Sequence, residues 1–165
     1  MSIDWRRFTF FTRIDGCSLP AVVPQSATFA CSRALVFFGD ETGTVHVMDE
    51  SYGSNAFIAH GGAVHQVQAV AQRDILVSIG SSANNDKIEL KVWSIEPSFA
   101  QDAQHQPRLL HQRQFDAESV VSALALHANL THVAIGLANG KVLLLKDSDY
   151  FYIHLCFLNQ VRSKK

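Results

Sequence analysis

Short runs of β-branched and aromatic residues recur along the chain, each ended by a glycine and a polar turn. Three segments share this layout. The first runs through Leu35, Val36, Phe37, Phe38 and Gly39, turns at Asp40, Glu41, Thr42 and Gly43, and resumes through Val45, Val47 and Met48. The second has Ile75, Leu76, Val77, Ile79 and Gly80, a polar stretch over residues 81–87, then Ile88, Leu90, Val92 and Trp93. The third has Val133, Ala134, Ile135 and Gly136, a turn through Asn139 and Gly140, then Val142, Leu143, Leu144 and Leu145. Each copy reads as strand, hairpin, strand. Gly43 and the Asn139-Gly140 pair supply the positive φ that tight hairpin turns require.

Further strands precede the second and third hairpins, over residues 63–70 and 119–126, both alternating with period 2. Residues 56–59 and 112–115 can supply the outer strands of the same units. Gly39 and Gly80 lie 41 residues apart, and Gly80 and Gly136 lie 56 apart. The excess falls in residues 96–110, which hold Pro97, Pro107 and three glutamines and lack an apolar period, as a surface insertion between two units does. Without it the spacing approaches the roughly 40–45 residues of a four-stranded propeller blade.

A β-sandwich also uses regularly spaced short strands, but one face of each of its strands is normally polar. The second strands here, around Leu90 and Trp93 and around Val142 and Leu145, are apolar at most positions, as strands covered on both faces are. The fold expected is all-β, an incomplete WD-like β-propeller of about three blades over residues 1–146, with a divergent C-terminal tail at 147–165. After Lys146 no fourth unit is recognisable in the sequence. Closed propellers have about 4–8 blades, so an uncovered blade face and marginal stability are expected of the isolated chain.

Composition narrows the function. The chain is 47% hydrophobic and 18% charged, suited to a packed core, with a net charge of -1. That balance offers no field for a nucleic-acid backbone or an anionic membrane surface, so nucleic acid is not an expected partner. Cys17, Cys31 and Cys156 are widely spaced and odd in number, unlike a disulfide framework or a metal site. The start has no apolar signal core, and the apolar stretch over residues 150–158 is short of the roughly 20 residues of a helical span. A cytoplasmic protein with at most peripheral membrane association is expected. Asn129-Leu130-Thr131 matches a glycosylation pattern by chance.

The order and spacing of several segments resemble the vacuolar protein sorting-associated protein 11 family. The likeness begins at Trp5, Arg6, Arg7, Phe8, Thr9, Phe10 and Phe11. It continues through 35–40, 75–80 and 90–95, and returns in 127–130, 134–136 and Asn139-Gly140. The resemblance implies an N-terminal propeller of a subunit of the HOPS and CORVET tethering complexes. Such a subunit acts in endosome-to-lysosome or vacuole transport and in vesicle docking and fusion, peripherally on the late endosomal, lysosomal or vacuolar membrane. Its partners would be other tethering subunits or trafficking proteins. The family's propeller is followed by a long α-solenoid and a RING module, and the 147–165 tail departs from the family pattern, as a truncated or alternatively spliced product would. In the family's closing arrangement, Arg6, Phe8 and Phe10 would share one face of an N-terminal strand, with Trp5, Thr9 and Phe11 on the other.

No constellation supports catalysis, a cofactor or a metal. His60 and His65 lie close together without a Cys or carboxylate at ligand spacing, and a structural hydrogen bond with a buried Asp or Ser, or plain exposure, is the expected use. His127 and His132 flank a turn and read the same way. Ser78, Ser81 and Ser82 lack a G-x-S-x-G elbow. Gly61-Gly62 is not a phosphate loop, and Asp40-Glu41 sits where turns favour acids. The expected function is a non-enzymatic interaction scaffold, with the 81–87 loop and the 96–110 insertion as candidate contacts, although solvated decoration is the first reading of both. The alternatives are a truncated product without independent function and a small hydrolase on a β-scaffold.

Overall fold

The structure, a computed structural model, describes residues 28–32, 35–70, 73–84, 87–102, 106–116 and 119–146. The segments expected as an N-terminal strand, Cys17 and Cys156, and the 147–165 tail lie outside them.

Among the described residues eleven strands form three antiparallel sheets. The first holds β1 (Thr28–Ser32), β2 (Leu35–Gly39), β3 (Thr44–Met48) and β4 (Ser54–Ile58) in chain order. The second holds β5 (Val64–Ala69), β6 (Ile75–Ser81), β7 (Ile88–Ser94) and β8 (Arg108–Phe115), again in order. The third holds β9 (Val121–Leu126), β10 (His132–Leu137) and β11 (Val142–Lys146). β1 lies against β5 and β5 against β9, so the first strands of the sheets line a common side. These are three propeller blades stacked side by side.

The stacking explains the apolar pattern. Leu35, Phe37, Val45, Val47 and Phe57 of the first blade meet Leu76 and Trp93 of the second. Val77, Ile79, Ile88 and Leu90, on the opposite face of the second blade, meet Val133, Ile135, Leu137 and Leu143 of the third. β6 is therefore buried continuously from Leu76 to Ser81, which a strand with one solvated face cannot be.

Two segments differ from the sequence expectation. The pairing of β1 with β2 completes the first blade, where the sequence marked no strand because Thr28–Ser32 is short and only weakly apolar. The insertion at 96–110 is structured at both ends rather than solvated decoration. Its first part is one 3-10 turn, Pro97–Ala100, whose Phe99 is fully buried against the first blade. Its last residues begin β8, which starts at Arg108 rather than near 112. A single turn anchored by one aromatic ring has no apolar period to read. An outer strand open to solvent pairs by its backbone through polar side chains, as the mostly exposed pattern of β8 shows.

The β2–β3 turn is held by Asp40. Its Oδ1 accepts the backbone N–H groups of Thr42 and Thr44, both at 2.9 Å, and the Thr42 hydroxyl at 2.8 Å. Its Oδ2 lies 2.9 Å from His46 Nε2. The turn also ties the first blade to the second: Val64 N–H donates to the Asp40 carbonyl, while Ala59 and His60 N–H donate to that of Gly43. Gly43 has φ +91, and a Cβ there would lie 2.2 Å from the His60 carbonyl oxygen, so only glycine fits. Asp40→Asn replaces one accepting oxygen by a donor, and a loss of about 1–2 kcal/mol is expected in urea unfolding. Two further turns use non-glycine residues at positive φ, Tyr52 (65) and Leu130 (61).

Candidate functional site

A cluster of buried polar side chains lies in the seam between the first two blades. The residues leaving β4 deliver His60 into that seam. β6 contributes Ser78, and alternate positions of β7 bring Glu89, Lys91 and Trp93 to the same face. Ser78 and His60 are 0% and 1% exposed, and Glu89 6%. Ser78 Oγ receives the Trp93 indole N–H at 2.9 Å and lies 2.8 Å from His60 Nε2. His60 Nδ1 faces Glu89 Oε2 at 3.6 Å. The network places the imidazole proton on Nδ1, toward the carboxylate, and lets Nε2 accept the Ser78 hydroxyl.

Glu89 is the hub of this joint. Its Oε1 accepts Gln114 Nε2 at 2.6 Å and Gln112 Nε2 at 3.3 Å, tying β7 to the outer strand β8. Its Oε2 pairs with Lys91 Nζ at 2.9 Å, and Lys91 also donates to the Ala59 carbonyl at 2.8 Å, back across to the first blade. Burial, reinforced by the Lys91 cation, pushes His60 down to about 4, against the opposing pull of Glu89. For Glu89 burial acts upward, but the Lys91 and Gln114 hydrogen bonds and the Lys91 and His60 charges outweigh it, and its pKa falls. The result is a neutral imidazole beside a paired carboxylate.

Serine, histidine and carboxylate here share the connectivity of a hydrolase triad, but all three side chains are buried. Ser78 Oγ is sealed inside the seam and already receives the Trp93 N–H, so no substrate carbonyl can reach it. A joint of this kind fixes the relative position of two blades. Trp93→Phe keeps the ring stacked edge-on against Phe57, now 5.0 Å between centroids, and leaves Ser78 without its donor. A loss of about 1 kcal/mol is expected by thermal or urea unfolding.

The other sequence-marked residues take structural places. His65 Nε2 lies 2.8 Å from Ser81 Oγ, and burial lowers its pKa. Ser82 holds the base of the 81–87 loop, where its N–H donates to the Lys87 carbonyl and its Oγ accepts the Lys87 N–H at 3.3 Å. His127 and His132 close the β9–β10 hairpin, with Thr131 Oγ1 about midway, 3.0 Å and 3.1 Å from their Nδ1 atoms. Among the described residues no three His, Cys, Asp or Glu side chains converge to hold a metal ion. The sequence reading passed over Glu89 and Lys91, although two opposite charges at alternate positions of an otherwise apolar strand are the mark of a buried pair.

A strap crosses the same seam farther out. Phe99 packs edge-on against Phe57, with centroids 5.9 Å apart. Asn55 Nδ2 donates to the Phe99 carbonyl at 3.1 Å, and Gln101 Nε2 donates to Asp49 Oδ2 at 2.7 Å. Asp49 Oδ1 meanwhile accepts the Ser51 and Gly53 N–H groups of the β3–β4 turn. The Gln101 hydrogen bond holds Asp49 below its ordinary pKa, with the backbone donors acting the same way. Exposed apolar side chains sit outside these joints, at Ile58, Leu109, Leu110 and Val120.

The profile of the PEP5/VPS11 N-terminal family matches residues 5–152. The chain belongs to that family. PEP5/VPS11 relatives include the vacuolar protein sorting-associated protein 11 homolog of Dictyostelium discoideum, 25% identical over 154 residues, and that of Homo sapiens, 29% identical over 171 residues. Each alignment covers 87% of this chain but only 15% and 17% of the respective relative. The PEP5/VPS11 chain thus spans about a sixth of the length of those proteins. Its fold is similar to the WD40 domain of Toxoplasma gondii coronin, with a TM-score of 0.58 at 6% identity, over 78% of this chain and 34% of that one. The WD40 propeller of Doa1 gives 0.52 at 16% identity, over 72% and 34%. Both likenesses bear on the fold alone, and they support the blade assignment of this PEP5/VPS11 domain. Among the described residues no helix is long and apolar enough to cross a membrane.

Proposed function

We propose that this chain is a non-enzymatic interaction scaffold of vacuolar protein sorting, a partial propeller that presents loops and blade edges to other trafficking proteins. The observation that carries the reading is the PEP5/VPS11 N-terminal match over residues 5–152. The sealed Ser78–His60–Glu89 cluster supports it, because this catalytic-looking arrangement is buried between two blades. In this reading residues 1–146 form the propeller part, 147–165 a separate tail, and no cofactor or metal is used.

The partners proposed are other subunits of the HOPS and CORVET tethering complexes. The site of action is the cytoplasmic face of late endosomes, lysosomes or the vacuole, reached by peripheral association. The net charge of -1 fits a protein partner better than a nucleic acid. Affinity purification of the tagged chain from cells is expected to recover tethering subunits. Recovery of none, beside a full-length relative that does recover them, would refute the proposal.

A further inference from the structure

The turn between β10 and β11 is exposed from Ala138 to Lys141. The Leu137 carbonyl accepts the Gly140 N–H at 2.9 Å, and Leu137 N–H donates to the Lys141 carbonyl at 2.9 Å. Gly140 has φ +81, and a Cβ placed on it would meet nothing within 4 Å. Asn139 precedes it, with Oδ1 accepting the Lys141 N–H at 3.0 Å. An asparagine that bonds the amide two residues on folds its side chain back toward the intervening peptide. The Asn139 carboxamide is thereby held beside the Gly140 peptide, its carbonyl is polarised by a donor, and the glycine has no side chain to obstruct approach. The other described asparagines lack this combination. Asn55 sits in β4 with Oδ1 bonded to Ala56 N–H at 2.8 Å and Nδ2 held by the Phe99 carbonyl. Asn84 and Asn129 precede Asn85 and the branched Leu130.

We propose that Asn139 is a site of spontaneous deamidation, and that its conversion loosens β11 from the third blade. The Gly140 nitrogen gives up its proton to hydroxide and attacks Asn139 Cγ. The new N–Cγ bond closes a succinimide ring, the Cγ–Nδ2 bond breaks, and the departing nitrogen takes up a proton from water and leaves as ammonia. Water then opens the ring at either carbonyl, giving aspartate or isoaspartate. No electrons change hands. The Gly140 bond to the Leu137 carbonyl has to open first, so local opening of the turn gates the reaction. Isoaspartate runs the main chain through the former side chain and lengthens it by one carbon inside the turn that the two Leu137 bonds close. Leu143 and Leu145 follow directly on that turn and belong to the seam with the second blade, so strain at Asn139 is passed to the packing of β11.

The test is incubation of the whole chain at mildly alkaline pH, folded and in urea, followed by peptide mass spectrometry and isoaspartyl methyltransferase labelling. Conversion at Asn139 is expected to be at least about tenfold faster than at Asn55 or Asn129 in both conditions, and slower in the folded chain than in urea. Gly140→Ala is expected to slow it at least about tenfold, because a side chain then crowds the attacking nitrogen. The urea arm keeps that comparison informative where the substitution impairs folding. Equal rates at the three asparagines, no effect of Gly140→Ala, or an amide that stays intact in the folded chain while it converts in urea would each overturn the proposal. A folded rate matching that in urea would remove the gate at Leu137. The isoaspartate fraction, separated by ion exchange, is expected to unfold at lower urea than the parent. Asn139→Asp adds the charge without lengthening the backbone and is expected to stay close to the parent. Coincident midpoints for all three would reject the loosening of β11.

Discussion

Phe99→Ala is expected to lower the unfolding free energy by about 3–5 kcal/mol, the usual cost of removing a fully buried phenylalanine. Phe99 has no exposure at all and fills the seam between Phe57 and the start of the strap. Truncation leaves a cavity bordered by two different blades, and neither can close it without moving its sheet. The Asn55 bond to the Phe99 carbonyl and the Gln101 bond to Asp49 hang from the same turn. Gln101→Ala, which cuts one of them and leaves the ring in place, is expected to cost about 0.5–1.5 kcal/mol. Urea unfolding of both variants is the measurement. A Phe99→Ala loss no larger than that of Gln101→Ala would mean that the ring carries no packing load.

The second large effect is a loss of stability on mild acidification. His60 has its pKa lowered from 6.5 to about 4 in the folded chain. Below pH 6.5 the unfolded chain takes up a proton that the folded chain resists until about pH 4, so the unfolded state gains. Stability is full above pH 6.5 and declines as the pH falls toward 4, by roughly 3 kcal/mol if the whole shift is realised, at about 1.4 kcal/mol per unit. The charged groups facing the ring are Lys91, which adds to the effect, and Glu89, which opposes it. His65, also lowered by burial, acts in the same direction. Glu89 and Asp40, both lowered, add their own losses only at more acidic pH. Unfolding midpoints at pH 7.5 and pH 5 should differ clearly in the parent chain. In His60→Gln, less stable at neutral pH, the difference should shrink, and an undiminished difference would assign the acid sensitivity to other groups.

The fold was legible because the blade repeat writes itself into side chains. Each hairpin needs its apolar runs for the seams and its glycine for the turn, and Gly43 and Gly140 both stand at positive φ in the structure. The outer strands were less legible, since β8 carries Gln112 and Gln114 for Glu89 rather than an apolar stripe. Phe99 was hidden for a different reason. One aromatic residue between two prolines has no periodicity, and only its contact with Phe57, some forty residues earlier in the chain, gives it meaning. The joint at His60 was half legible. A structural hydrogen bond between His60 and an Asp or Ser, or plain exposure, was the expectation, and Ser78 is the partner found, but the role of Glu89 depends on four partners drawn from three segments.

The two seams between blades are chemically unlike. That between the first and second combines hydrocarbon with the Glu89 hub, the Lys91 bridge to Ala59 and the strap at Gln101. The buried side chains of that between the second and third are valine, isoleucine and leucine, with Phe115 packed against them. Hydrocarbon contact weakens on cooling, while directional polar contacts do not share that dependence. Cooling is therefore expected to weaken the contact of the third blade more than the joint between the first two.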